Sequence, residues 1–168
     1  YEDFDQDYLY YNTPFYPGFY VGFPAMAIGG ARRVLDEFEK HTAGRVRFSG
    51  VNEKDSPTSQ RVLAKLKMEM LTAESLMTEY IRMMENDKGG PYEGAKYKVI
   101  RATIIEKCTE IGVRALLTLG GHALLKGHPV ELFSRDLIAI ATHITSLYED
   151  GLIGYGRHLF GVQTNIQG

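Results

Sequence analysis

Cysteine is almost missing. Cys108 stands alone in 168 residues, so the chain cannot close an internal disulfide and suits a reducing, cytoplasmic compartment. An excess of positive charge is missing too. A formal net charge of −2 gives no electrostatic case for nucleic acid or an anionic membrane. Strand patterns, a P-loop, Gly-x-Gly-x-x-Gly and Glu-x-x-His are all lacking, which removes two common nucleotide cradles and the di-iron carboxylate bundle. His122 and His128 lie six apart across a loop, so no metal site is expected there. Charge is absent from Tyr8 to Ala31, yet Pro14, Pro17, Pro24 and four glycines interrupt that run, and it is not a membrane span. No signal peptide is visible. The start is acidic (Glu2, Asp3, Asp5, Asp7) and has no initiator Met, so Tyr1 is read as the start of a processed chain or a fragment.

What is present is helical periodicity. Hydrophobic residues make up 44% and charged residues 24%, the mix of one globular domain. Residues 1–16, rich in Tyr, read as an extended arm able to lie on another protein surface. A first helix is expected from Pro17 or Phe19 to Thr42, with a phase shift at Gly29-Gly30 and a stop at Gly44. Arg45-Val46-Arg47-Phe48 follows as a basic connector. Ser56-Pro57 should cap a second helix, in which Leu63, Leu66, Met70, Ala73, Met77, Tyr80 and Met84 repeat in steps of three and four. Its methionines and Cys108 read as core filling. A loop follows from Asn86 to Gly94. The third helix runs from Ala95 to Leu119 and the fourth from near Phe133 through His143 and Ile144. A Gly-rich tail beyond Asp150 should hold a short helix. Long helices joined by short connections predict an all-α, antiparallel four-helix bundle over residues 17–168.

One stretch concentrates possible chemistry: Gly120-Gly121 after the third helix, then Pro129, Arg135-Asp136 and His143. Paired glycines let a backbone turn and come close to a ligand. Backbone donors, Arg135 and His143 are expected to converge at one end of the domain. An ordinary helical corner and a buried core histidine are the competing readings.

Two segments give the chain a family likeness. The first is Gly29-Gly30-Ala31-Arg32-Arg33-Val34-Leu35-Asp36-Glu37 with Arg45-Val46-Arg47-Phe48, Ser49 standing where the likeness has Gly. The second is Gly120-Gly121 through Pro129 to Arg135-Asp136. Together they resemble the C-terminal helical domain of the acyl-CoA dehydrogenase superfamily of flavoproteins. The resemblance implies a longer subunit with an N-terminal helical domain and a middle β domain, assembled through its bundles into a homotetramer. It also implies flavin near Arg45, Phe48, Gly120, Gly121 and Arg135. Arg suits phosphate because its planar donors are charge-assisted. Where the family has a Gln contacting the flavin nucleotide, this chain has Leu117, so the cofactor is FAD or FMN.

The dehydrogenase's catalytic Glu falls on Ile144, and no acid lies between Asp7 and Asp36 on the first helix, the other place where members of the family carry their base. His143, eight residues after Arg135, instead resembles the flavin-dependent monooxygenase branch. There the histidine stands near the flavin's reactive edge, and an imidazole suits proton handling near neutrality. The expected protein is thus an oxygenase component acting with reduced flavin and O2 on an aromatic or related small molecule, partnered by a flavin reductase. Acyl-CoA dehydrogenation, with Glu149 or an outside residue as base, is the alternative; a bundle kept only for assembly is the third.

Overall fold

The computed structural model describes residues 15–86, 94–143 and 147–162. Its helices are α1 (Phe15–Tyr20), α2 (Gly22–Gly44), α3 (Pro57–Asn86), α4 (Gly94–Leu119), α5 (Pro129–Ala141) and α6 (Tyr148–Leu159). Among the described residues there is no strand, only an isolated antiparallel bridge between Val46 and Asn52. Most of the Tyr-rich arm lies outside the described residues, although Phe15 and Tyr16 already belong to α1. No described helix is long and apolar enough to cross a membrane.

Surface ion pairs contribute little energy each, but they record direction. Glu74 pairs with Arg32 and Glu39 with Lys67, so α2 and α3 run antiparallel. Glu79 with Lys96 and Glu69 with Lys107 do the same for α3 and α4. Thr109 donates to the Leu137 carbonyl between α4 and α5. A Cβ added at Gly112 would lie 3.0 Å from Ser134 Oγ, and one at Gly30 would lie 3.4 Å from Leu137 Cδ2. The phase shift at Gly29-Gly30 therefore has a cause: α5 lies close over that turn of α2. Four helices form the expected bundle, and α6 packs on α4 with Gly151 against the Val99 backbone.

The second-helix seam buries Leu66, Met70, Ala73, Tyr80 and Met84, with Leu63 and Met77 partly buried. α4 is the central element, burying Ile100, Ile104, Ile105, Cys108, Ile111 and Ala115. Each such aliphatic side chain stabilises by about 1.5–3 kcal/mol when fully removed from water. Burial pushes the Cys108 thiol up to about 12, as suits an inert core residue. Tyr80 donates to the Pro17 carbonyl at 2.9 Å, and Arg101 lies 4.5 Å over the Tyr20 ring, so α1 is pinned to the bundle.

Three helix limits differ from expectation. Pro24 sits in the first turn of α2, where a missing N–H costs nothing, so the helix begins at Gly22. Ser56 accepts the Gln60 N–H with its carbonyl, while its hydroxyl takes a 2.9 Å hydrogen bond from Arg47. The fourth helix starts at Pro129, not near Phe133, because His128 caps it and proline suits its first position. It stops at Ala141, before His143, which continues as a turn with its N–H on the Ile140 carbonyl.

Candidate functional site

The end of α2 leads into a tight hairpin. The Glu53 N–H donates to the Arg45 carbonyl and the Arg47 N–H to the Val51 carbonyl, with Gly50 at φ +79° in the turn. Left-handed backbone there favours glycine, one residue later than the family likeness places it. Arg47 holds Glu53 through two hydrogen bonds of 2.8 and 2.6 Å, and with Ser59 this lowers the Glu53 carboxyl to about 2. Phe48 stands at the tip, fully exposed.

Arg45 reaches across from this hairpin. Its Nη1 donates to the Leu119 carbonyl at 3.3 Å, one of the orphan carbonyls at the end of α4. That contact brings Arg45 beside Gly120-Gly121, two features that only the family resemblance had linked. Gly120 has φ +77° and ψ −164°, a region that only glycine visits readily. A Cβ at Gly120 or Gly121 would meet nothing within 4 Å, so open space faces this backbone.

A feature missed from the sequence surrounds the same place. His41 near the end of α2, His122 in the turn after α4 and His128 at the start of α5 share one cluster. Their ring centroids lie 5.8, 6.0 and 5.5 Å apart. His128 Nδ1 accepts the Val130 N–H at 3.2 Å as the cap of α5. Burial lowers the proton affinity of His41, aided by the Arg45 cation and the neighbouring His128 and His122 rings; Glu53 opposes them. Only tertiary folding joins these rings, since two long helices separate His41 from His122 in the chain. Among the described residues, no group of His, Cys, Asp and Glu is arranged to hold a metal ion.

The other expected residues lie elsewhere. Arg135 is exposed on α5, 3.6 Å from Glu131. His143 lies beyond the far end of that helix, its ring 5.1 Å from Phe23 at the start of α2. α5 has 13 residues, about 20 Å at 1.5 Å per residue. His143 and Gly120-Gly121 therefore do not converge at one end: the antiparallel path of α5 sets them at opposite ends. His143 is also exposed, which removes the buried-histidine reading.

The family described as "Acyl-CoA dehydrogenase, C-terminal domain" matches residues 21–146, and the chain belongs to it. No curated protein matches. Solved structures share the fold. XiaF from a Streptomyces species, in complex with FADH2 and glycerol, superposes with a TM-score of 0.85 at 15% identity, covering 93% of this chain and 41% of that one. The 3-HSA hydroxylase from Rhodococcus sp. RHA1 gives 0.80 at 20% identity, covering 93% and 42%. A glutaryl-coenzyme A dehydrogenase in complex with glutaryl-CoA gives 0.72 at 20%, covering 90% and 38%. The chain spans about two fifths of the length of these structures.

Proposed function

We propose that this chain is the C-terminal bundle of a flavin-dependent oxygenase component, working with reduced flavin and O2 on an aromatic or related small molecule. The observation that carries the reading is His143. It is exposed beyond the end of α5 beside the Phe23 ring, and the position of the dehydrogenase base is Ile144, which has no proton to move. Imidazole can donate or accept a hydrogen bond near neutral pH, as oxygen chemistry at a flavin requires. XiaF, bound to FADH2, and a hydroxylase share the fold and agree with this reading.

The residues present fit a flavin on one side. Arg45 is exposed and gives its Nη1 to the Leu119 carbonyl, leaving other guanidinium donors for phosphate. Gly120 and Gly121 present backbone to open space, and Phe48 offers an uncovered ring. Reduced flavin, when bound, supplies the electrons that activate O2. The protein's part is to hold the phosphate-bearing end at Arg45 and the glycines, and to place His143 at the reacting end. FAD suits the two-ended layout, because α5 holds the two sets of residues about 20 Å apart; FMN remains the shorter option. The remaining walls would come from an N-terminal helical domain and a middle β domain, and assembly would be a homotetramer through the bundles, with a flavin reductase as partner.

One other reading has a specific basis. Glu149, exposed in the first turn of α6, is the available acid for acyl-CoA dehydrogenation, which the glutaryl-CoA complex illustrates. A bundle kept for assembly would bind no flavin. Assaying the whole flavoprotein with reduced flavin and O2, and separately with acyl-CoA and an electron acceptor, decides among them. Product in the first assay only is expected; turnover of acyl-CoA alone would overturn the oxygenase reading.

A further inference from the structure

The flavin reading leaves the three clustered histidines without a task. Their surroundings are cationic. From α2 come Lys40, His41 and Glu37, the last held by Arg33 at 2.6 Å. From the hairpin come Arg45 and Glu53, the last already held by Arg47 and Ser59. The turn after α4 adds His122, and α5 adds His128. A shallow cavity of about 400 Å³, lined by Glu37, Lys40, His41, Gly44, Arg45 and His128, opens beside them. Both nearby carboxylates already have partners, although Glu53 still favours a proton on His41.

His128 has a restricted role. Its Nδ1 accepts the Val130 N–H, so the neutral ring carries its proton on Nε2 and offers a donor there. Protonating Nδ1 would break the α5 cap. His41 and His122 have no such tie, so both rings can turn N–H donors toward an anion. Arg45 beside them disfavours a metal cation and favours an oxyanion.

We propose that His41 and His122, with Arg45 and the fixed donor of His128, form a phosphate-group site that takes up protons as the oxyanion binds. Assigning that oxyanion to the flavin's pyrophosphate rests on the flavin reading above; the site itself does not. Binding then strengthens as pH falls through the imidazole range, because the bound anion favours the protonated rings.

The test uses inorganic pyrophosphate and FAD with the full chain, by titration calorimetry at about pH 6 and about pH 8. Pyrophosphate itself loses charge on acidification, which opposes the expected trend, whereas the FAD diester does not titrate there. Affinity for pyrophosphate should rise about tenfold or more at the lower pH, with proton uptake seen in buffers of different ionisation heat. The double variant His41→Gln, His122→Gln should lose the rise and the uptake while keeping its Tm. No pyrophosphate binding, a flat pH profile, or an unchanged rise in the variant would overturn the proposal. FAD binding without a pH slope would overturn the gating and leave the flavin reading intact. Pyrophosphate binding with the slope, and none of FAD or FMN by the whole flavoprotein, would keep the site and remove the flavin reading.

Discussion

α5 has a histidine at each end, and the two ends are built in opposite ways. His128 is tied into the backbone as a cap, and around it Arg45 holds the Leu119 carbonyl while Gly120 takes a conformation that only glycine visits readily. His143 stands past the last helical turn, exposed, with an aromatic neighbour in Phe23. The first end is fixed by hydrogen bonds and backbone geometry, as a grip on a charged group requires. The second presents one titratable ring to an open face. Under the flavin reading, changes at the two ends should therefore separate holding the cofactor from using it.

The largest effect is expected at the second end. His143→Ala in the whole flavoprotein should cut product formation by about 10² or more, the scale of a positioned acid–base group. Reduced flavin should still be oxidised, so oxygen goes to hydrogen peroxide instead. An exposed side chain removed from a turn changes stability by roughly ±0.5 kcal/mol, so the Tm should hardly move. Flavin affinity should stay close to wild type. A variant that keeps full coupling of oxygen to product would show that His143 has no part in the reaction.

At the first end the paired glycines can be told apart. Gly120 is held at φ +77°, so Gly120→Ala should cost about 1–3 kcal/mol of stability even though its Cβ meets nothing. Gly121 has no positive φ and equal space, so Gly121→Ala should leave the Tm unchanged. If flavin lies against that backbone, the added methyl should still weaken binding by about tenfold, or 1.4 kcal/mol. Fluorescence titration with FAD on the whole flavoprotein reads this directly. Unchanged affinity in Gly121→Ala would place the cofactor away from the turn.

The helices were legible in the sequence because each apolar position repeats many times; the seam from Leu63 to Met84 needs no partner to be seen. Arg45 and Gly120-Gly121 were legible as a pair only through the family likeness, and the Arg45 hydrogen bond to Leu119 now gives that pairing a geometry. The end of α5 was not legible. Ile140 and Ile144 continue the apolar spacing past Ala141, and periodicity alone cannot register a helix stop without a Gly or Pro. The histidine cluster was invisible for another reason: His41 and His122 are brought together by the antiparallel return of the chain, which no local pattern records.

The smallest effect concerns the hairpin that carries Arg45 and Phe48 to the first end. Glu53, held by Arg47 and Ser59, has its carboxyl lowered from 4.5 to about 2. A depressed folded-state value means that this group's stabilising contribution is fully present above about pH 4.5 and is lost as pH falls toward 2. His41 is also lowered, so without a bound anion its contribution is present above its usual 6.5 and is lost as pH drops through its folded value. Acidification should thus loosen the first end in two stages, His41 before Glu53. Because the Arg47 side chain is 43% exposed, solvent screens the pair and the second stage should shift the Tm only slightly. Amide signals of Arg47 and Gly50, followed by NMR, should begin to move below about pH 4.5, and Glu53→Gln should abolish that movement. Signals from Phe23, at the opposite end of α5, should not follow the Glu53 titration. Coincident changes at both ends would mean that acid unfolds the bundle as a whole rather than releasing the hairpin.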